Sequence, residues 1–128
     1  MAPISVTLAP RDPPAAVVAL VGEHDAYSAA RVESELAWLL AEQRHIVLDL
    51  RETDFVDSTT LAVILASRRD AEERGLGFAL VLPGRTYTQV HQLLELTNLR
   101  SAFAIYDTLD DALAAARDGV SASVRPAA

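Results

Sequence analysis

The chain has 128 residues, of which 51% are hydrophobic, and its formal net charge is −7. This length allows one domain that buries a sizeable core. The sequence contains no run of about 18 apolar residues that would span a bilayer, and its first residues lack the basic region of a signal peptide. We therefore expect a single cytoplasmic domain that does not insert into a membrane.

Two residue types are missing from the sequence, which contains neither cysteine nor lysine. Without cysteine, disulfides, thiolate nucleophiles and cysteine-ligated zinc are excluded. Without lysine, the chain lacks the residue on which P-loop, kinase and Schiff-base sites depend. The negative charge argues against nucleic acid as the main ligand and favours a protein partner with a basic surface. We expect no cofactor and no metal.

The N-terminal part of the chain predicts two strands and a helix. Residues 4–8 alternate apolar and polar side chains, as a half-buried strand does, and residues 10–14 predict a proline-containing turn. Residues 15–21 are nearly all apolar, which indicates an interior strand. A polar corner follows, where Asp25 is a suitable N-cap for a helix that runs to about residue 43.

The middle of the chain repeats this alternation. Residues 45–50 predict a second core strand, and a turn at residues 51–54 separates it from a cluster of hydroxyl side chains. The next predicted helix covers residues 61–74 and ends at Gly75, while residues 77–82 predict a third core strand.

The C-terminal part predicts a shorter helix over residues 86–96 and a last strand over residues 103–106. Thr108, with an aspartate three residues later, resembles a capping box and opens a final helix that runs to Arg117. Residues 118–128 are rich in serine, alanine and proline, and we expect a flexible tail there.

Strands that alternate with helices form right-handed crossovers and a mostly parallel sheet. The sequence therefore predicts a single α/β domain over residues 4–117, with a four- to five-stranded, mostly parallel mixed sheet and about four helices. The loops after the first two core strands lie at the carboxyl ends of parallel strands, where sites form in α/β proteins. If these strands are neighbours, two groups of polar residues come together: Glu23, His24 and Asp25 with Asp54, Asp57 and Ser58.

The most informative segment is residues 55–61, Phe-Val-Asp-Ser-Thr-Thr-Leu, which places an acid and three hydroxyls at the start of a helix. Such side chains cap helices by accepting from free backbone N–H groups. The same N–H groups, with the positive end of the helix dipole, also favour an anion. Ser58 can therefore be a cap or a phosphate acceptor.

Other interpretations of these polar residues remain open. Ser58 with His24 as its base would form a hydrolase site, although the G-x-S-x-G elbow is absent. Three aspartates resemble the acidic pocket of a receiver domain, but no lysine accompanies them: Asp25, Asp54 and Asp57. Several other residues are expected to be structural: Trp38 in or at the rim of the core, His45 and His91 at the surface or its boundary, and Arg68, Arg69 and Arg74 on a solvated helix face.

Four segments, in order, are similar to motifs of the STAS domain of anti-sigma factor antagonists. They are Leu-Val-Gly-Glu-His-Asp at 20–25, Ile-Val-Leu-Asp-Leu at 46–50, Phe-Val-Asp-Ser-Thr-Thr-Leu at 55–61 and Leu-Leu-Glu-Leu-Thr-Asn-Leu at 93–99. The family patterns for the first, third and fourth segments are G-E-L-D, D-S-S/T-G-L and L-x-x-x-G-L. The resemblance extends from Ile4 to Ala116.

The resemblance implies a binding protein that is switched by phosphorylation, not an enzyme. An ATP-using anti-sigma factor serine kinase would phosphorylate Ser58, or as second choice Thr59, and a serine/threonine phosphatase would reverse the reaction. The unphosphorylated form would bind the kinase and release a sigma factor, which activates transcription. The resemblance assigns contact with the partner to six residues: Glu23, His24, Asp25, Asp57, Thr59 and Thr60.

The sequence departs from the family pattern at three positions, where Thr60 and Asn98 replace the usual glycine and His24 replaces the common leucine. Thr60 adds a β-branched side chain where the active site of a partner must approach. A STAS scaffold that is not phosphorylated, or an interaction subunit of a larger regulatory or lipid-transport complex, is therefore the alternative function. The oligomeric state is left open.

Overall fold

A five-stranded mixed sheet forms the centre of the molecule, a computed structural model that describes residues 3–9 and 12–122. The strands are β1 (Ile4–Ala9), β2 (Ala15–Leu20), β3 (Gly22–His24), β4 (His45–Asp49), β5 (Thr53–Val56), β6 (Phe78–Val81) and β7 (Ala104–Tyr106). The helices are α1 (Ala26–Ala41), α2 (Ser58–Glu73), α3 (Gln89–Leu96) and α4 (Leu109–Arg117), with a 3-10 turn at Arg100–Ala102.

The strand order in the main sheet is β1-β2-β4-β6-β7, with β1 antiparallel to β2 and the other neighbours parallel. The predicted α/β class and the mostly parallel sheet are confirmed. Strands β2, β4 and β6 are apolar because helices cover both faces of the sheet, which removes the polar alternation of a one-sided sheet. Two further strands, β3 and β5, form a small parallel sheet that the sequence analysis did not predict.

The side chains of the central strands divide between two cores. On one face, Ile46, Leu48, Phe78 and Leu80 pack with the apolar sides of α1, α2 and α3. On the other face, a smaller cluster packs against α4: Val47, Ala79, Val81, Ala112 and Ala116. The alternation of adjacent residues between the two clusters follows the two-residue period of a strand.

The edge strand β1 differs from the prediction of a half-buried strand. Val6 and Leu8 are 37% and 46% exposed, and no residue of β1 is fully buried. Among the residues that the structure describes, the strand pairs only with β2, so its second edge has no strand partner there. Of the predicted turn at 10–14, Pro10 and Arg11 lie outside the described residues.

Two residues are placed differently from the sequence expectation. Trp38 is 58% exposed and lies outside the core, because at 100° per residue it points away from the side of α1 that carries Leu36 and Leu40. Arg68 is buried instead of solvated, and its guanidinium donates to the Glu72 carboxylate at 2.9 Å and to the Ser121 carbonyl at 3.3 Å. Arg69 and Arg74 are exposed, as expected.

The two histidines outside the candidate site have structural roles. His45 accepts the backbone N–H of Gly77 at 2.9 Å through Nδ1, which joins the start of β4 to the start of β6. His91 forms a capping box with Thr88 at the start of α3 and is 9% exposed. His45 is a boundary residue, as predicted, whereas His91 is buried at the start of α3 and the prediction was wrong for it.

The chain after α4 remains in contact with the domain as far as the structure describes it. The Val120 carbonyl accepts the backbone N–H of Phe78 at 2.9 Å, and Ser121 is buried. The rest of the predicted tail, residues 123–128, lies outside the described residues. No helix in the described part of the chain is long and apolar enough to cross a membrane.

Candidate functional site

Helix α2 begins at Ser58, and the preceding Asp57 supplies its N-cap. The Asp57 carboxylate accepts the backbone N–H of Thr60 at 2.8 Å, and its own backbone is extended, with φ −86° and ψ 175°. Asp57 therefore provides the cap for this end of the helix. The Ser58 hydroxyl is not needed for that role.

Ser58 and Thr59 are both exposed on the first turn of α2. Neither hydroxyl forms a hydrogen bond with any residue in the ranges that the structure describes. The site thus consists of a capped helix start with two free alcohols on its outer side. An alcohol in this position can be reached by another protein without moving the backbone.

The predicted meeting of the two polar corners is confirmed, and the small β3–β5 sheet brings it about. In this sheet Glu23 lies beside Phe55 and His24 beside Val56, in parallel register. The ladder continues into the loop, where the backbone N–H of Asp57 donates to the His24 carbonyl at 3.1 Å. The residues before α1 are thereby fixed next to those before α2.

The buried side chain of Thr60 joins the start of α2 to the β3–α1 corner. Its side chain is fully buried, and its hydroxyl lies 3.3 Å from the carbonyl oxygens of both His24 and Asp25. Distances longer than the usual O–H···O separation are consistent with one proton shared between two acceptors. A glycine at this position would lack these bonds, so the threonine ties α2 to the β3–α1 corner.

Two of the predicted partner contacts need correction. Thr60 and His24 both have no exposed surface, so their side chains do not reach a docked protein. The β-branched side chain of Thr60 points into the domain and does not obstruct the outer face of the helix start. The residues that remain available at the surface are Glu23, Asp25 and Thr59, together with a half-buried Asp57.

His24 is held by two neighbours, which also excludes the hydrolase interpretation. Its Nδ1 lies 3.1 Å from the Ser28 hydroxyl and its Nε2 lies 3.2 Å from the Val21 carbonyl. Both ring nitrogens are thus engaged away from Ser58. Burial lowers the pKa of His24 from its usual 6.5, although the Val21 carbonyl opposes the shift.

The acidic residues form a negative rim, not a metal site. Asp25 caps α1 by accepting the backbone N–H of Tyr27 at 2.9 Å and forms a capping box with Ser28. Asp25 and Asp57 thus each stabilise the positive end of a helix. Within the described ranges no three acidic, histidine or cysteine side chains come close enough to hold a metal ion.

Gln89 is a positioning residue that the sequence analysis missed. Its side-chain oxygen accepts from the backbone N–H of Val56 at 2.9 Å, and its amide nitrogen donates to the Val56 carbonyl at 2.9 Å. The side chain therefore satisfies the free edge of β5 as a neighbouring strand would. At the other end of β5, the buried Thr53 hydroxyl donates to the Leu20 carbonyl at 2.6 Å. Neither pairing has a local sequence signal.

Two exposed aromatic residues flank the helix start. Tyr27 is 93% exposed in the first turn of α1, and Phe55 is 39% exposed on β5 beside Glu23. Exposed aromatic side chains next to charged groups are typical of protein–protein contact surfaces. We call the outer surface formed by Glu23, Asp25, Tyr27, Phe55 and Ser58 the switch surface.

Comparison with known proteins assigns this chain to a family. Residues 7–112 match the family model of the STAS domain. The chain belongs to the STAS domain family. The resemblance of the sequence motifs to that family is thereby confirmed.

Relatives of this STAS domain are named as regulatory antagonists, not as enzymes. The anti-sigma F factor antagonist of Paenibacillus polymyxa is 30% identical over 99 residues, which are 76% of this chain and 82% of the relative. A Thermotoga neapolitana homologue of the protein TM1081 is 37% identical over 68 residues, and the match spans only 58% of that relative.

Solved structures agree with this assignment. An anti-sigma factor antagonist from Mycobacterium paratuberculosis is 30% identical with a TM-score of 0.73, and the match covers 91% of this chain and 96% of that one. The Bacillus antagonist SpoIIAA shares the fold in two forms: 14% identity and a TM-score of 0.63 when unphosphorylated, and 16% and 0.61 when phosphorylated. These matches cover 91% and 86% of this chain and 100% and 97% of the SpoIIAA chains.

Replacing Thr60 by valine tests whether the buried Thr60 hydroxyl stabilises the contact between α2 and the β3–α1 corner. The two side chains have nearly the same shape, so Thr60→Val removes the shared hydrogen bond and leaves the packing in place. We expect the free energy of unfolding in urea to fall by about 1 kcal/mol. The matched control is Thr59→Val, which we expect to change that energy by less than about 0.5 kcal/mol because Thr59 is exposed. Equal losses in the two variants would contradict the assignment.

Protonation of His24 gives a second prediction. Since burial lowers its pKa, the native protein binds fewer protons than the unfolded chain once the pH falls below about 6.5. The free energy of unfolding should therefore be highest above this pH and decrease as the pH is lowered towards the folded-state pKa. His45, whose pKa is lowered by burial and by the charge of Arg117, acts in the same direction.

The measurement that separates the two histidines is an NMR titration of the imidazole Cε1 protons. We expect His24 to titrate below 6.5, its ordinary value. A His24 titration midpoint at or above that value would contradict the burial argument, whatever the pH dependence of the unfolding energy.

Proposed function

We propose that this STAS domain is an anti-sigma factor antagonist whose binding to an anti-sigma factor serine kinase is switched off by phosphorylation of Ser58. The observation that supports this most directly is the free, exposed hydroxyl of Ser58 at a helix start that Asp57 already caps. In the unphosphorylated form the domain binds the kinase, and a sigma factor is released to activate transcription in the cytoplasm.

The chemical step needs only an accessible alcohol on this protein. The Ser58 oxygen attacks the γ-phosphorus of ATP held by the kinase, the bond to the bridging oxygen of ADP breaks, and the hydroxyl proton passes to a base of the kinase. A serine/threonine phosphatase restores the alcohol by hydrolysis and releases inorganic phosphate. Both proteins must reach residue 58 from solvent, and its exposure permits this.

A phosphate on Ser58 is compatible with the fold. It adds about −1.5 to −2 charge units at neutral pH. Free N–H groups in the first turn of a helix stabilise such a charge by donating hydrogen bonds to it. SpoIIAA, whose fold matches this chain with TM-scores of 0.63 and 0.61, has been solved in both the unphosphorylated and the phosphorylated form. This supports a switch that acts on docking and leaves the architecture in place.

The loss of docking follows from the charges around Ser58. Three carboxylates lie on or beside the switch surface: Glu23, Asp25 and Asp57. A partner that matches this surface must present basic or donor groups, and a phosphate would create repulsion with any acidic group nearby and fill space at the contact. A hundredfold loss of affinity requires only about 2.7 kcal/mol, which one clash in a desolvated interface can supply.

Ser58 is a better candidate for the phosphate acceptor than Thr59 or Thr60, for a different reason in each case. Thr60 is buried and hydrogen-bonded, so it is not available to a kinase. Thr59 is exposed and remains the second acceptor, although it lies one step further along the helix. We propose that Thr59 contacts the partner together with Glu23, Asp25 and Asp57.

Two variants of Ser58 test the switch. Protein isolated from its native cell should contain a species heavier by one phosphate, and Ser58→Ala should abolish that species in intact-mass analysis. Ser58→Asp should weaken binding to an anti-sigma factor serine kinase from the same cell by about 100-fold, with little change in thermal stability. The matched control is Ser101→Asp, which adds the same charge at an exposed serine in the 3-10 turn and should bind like wild type.

Each alternative gives a different result. If Ser58→Ala retains the phosphate and Thr59→Ala loses it, the acceptor is Thr59 and the assignment to Ser58 is wrong. If no phosphorylated species exists and both Ser58 variants bind the kinase like wild type, the domain is the non-switching scaffold, and the proposed function fails.

A further inference from the structure

A groove that shares no lining residue with the switch surface lies beside the β6–α3 loop. It lies at the carboxyl ends of β6 and β7, the usual position of ligand sites in parallel α/β sheets. A cavity of about 300 Å³ is bounded by the β6–α3 loop, and a second of about 440 Å³ adjoins it. The two cavities share Arg100, Ile105 and Asp107, so they form one continuous groove.

Two arginines line the groove of a protein that is negative overall. Arg85 and Arg100 line it against the single carboxylate of Asp107, whereas the whole chain has a net charge of −7. Arg85 forms no ion pair or hydrogen bond with any described residue. Arg100 forms an ion pair with the Glu95 carboxylate at 3.8 Å, which is too long for a direct hydrogen bond, so this contact leaves the Arg100 N–H donors free to bind a ligand.

The β6–α3 loop adds donors from the backbone. The N–H groups of Gly84, Arg85, Thr86 and Tyr87 donate to no described residue, and the Thr86 hydroxyl is exposed beside them. Successive free N–H groups in a loop form a concave donor surface for anions. The loop leads into α3, whose first turn starts at the Thr88 cap.

The remaining walls indicate what else a ligand would carry. Tyr87 stacks on His91 with ring centroids 5.6 Å apart, which gives one side of the groove a flat apolar wall. The Asp107 carboxylate lies against Gly84, where a β-carbon would come within 2.8 Å of both carboxylate oxygens. Asp107 can accept from a hydroxyl or amine of the ligand.

We propose that this groove binds a small organic anion with a phosphate or carboxylate head group and at least one hydroxyl or amine. The head group lies between Arg85, Arg100 and the free N–H groups of residues 84–87, and the donor group faces Asp107. None of the lining residues belongs to the switch surface, so the proposal does not rest on the proposed switch.

The test is an NMR titration of the whole chain with glycerol 3-phosphate, with inorganic phosphate and acetate as head-group probes at constant ionic strength. We expect saturable shifts of the amide signals of residues 84–87 and a dissociation constant for glycerol 3-phosphate of about 1 mM or tighter. Arg85→Gln should weaken binding about tenfold, because a charge-assisted contact is lost. The matched control, Arg69→Gln, removes an exposed arginine on α2 and should leave affinity unchanged.

Three results would overturn the proposal. One is the absence of saturable shifts in residues 84–87 with all three probes. Another is a set of shifts confined to residues 58–60, which would assign anion binding to the start of α2. The last is an equal loss of affinity in Arg69→Gln and Arg85→Gln, which would mean that the anions respond to net charge alone. Because Arg85 is in an exposed loop, a folding failure does not confuse this comparison.

Discussion

The attachment of the first turn of α2 to the backbone of the β3–α1 corner is the constraint on which the site depends. The Asp57 N–H donates to the His24 carbonyl, and the buried Thr60 hydroxyl contacts the carbonyls of His24 and Asp25. These bonds turn Thr60 inward. Since side chains on a helix advance by 100° per residue, Ser58 and Thr59 are directed outward. A single set of buried contacts thus determines which hydroxyls are accessible.

This arrangement separates the function of the surface from the stability of the domain. The groups that hold the corner are buried or belong to the backbone, and the cap is supplied by Asp57. A charge added to the Ser58 oxygen therefore replaces no internal bond. A phosphate there would change the surface charge by about −1.5 to −2 units without removing a bond that holds the α/β core.

The sequence patterns predicted the main elements well because those elements are specified locally. Apolar runs marked the core strands, and cap residues marked where α1 and α4 begin, at Asp25 and Thr108. The short strands β3 and β5 have no such signal, because they carry polar residues and are formed by pairing between distant segments. The burial of His24 and Thr60, and the strand-like pairing of Gln89, depend on that tertiary contact and could not be predicted from spacing.

The STAS family resemblance pointed to the segment at the start of α2, but it could not say which side of the helix each hydroxyl occupies. A position where the family has glycine carries here a threonine that stabilises the corner from within. The most direct test is to compare ¹H–¹⁵N NMR spectra of the unphosphorylated protein and of the protein carrying phosphate on Ser58. We expect shifts confined to residues 22–28 and 53–62, with the amides of β4, β6 and α4 unchanged. Shifts throughout those central elements would show that the charge rearranges the core, and would contradict a switch that acts only at the surface.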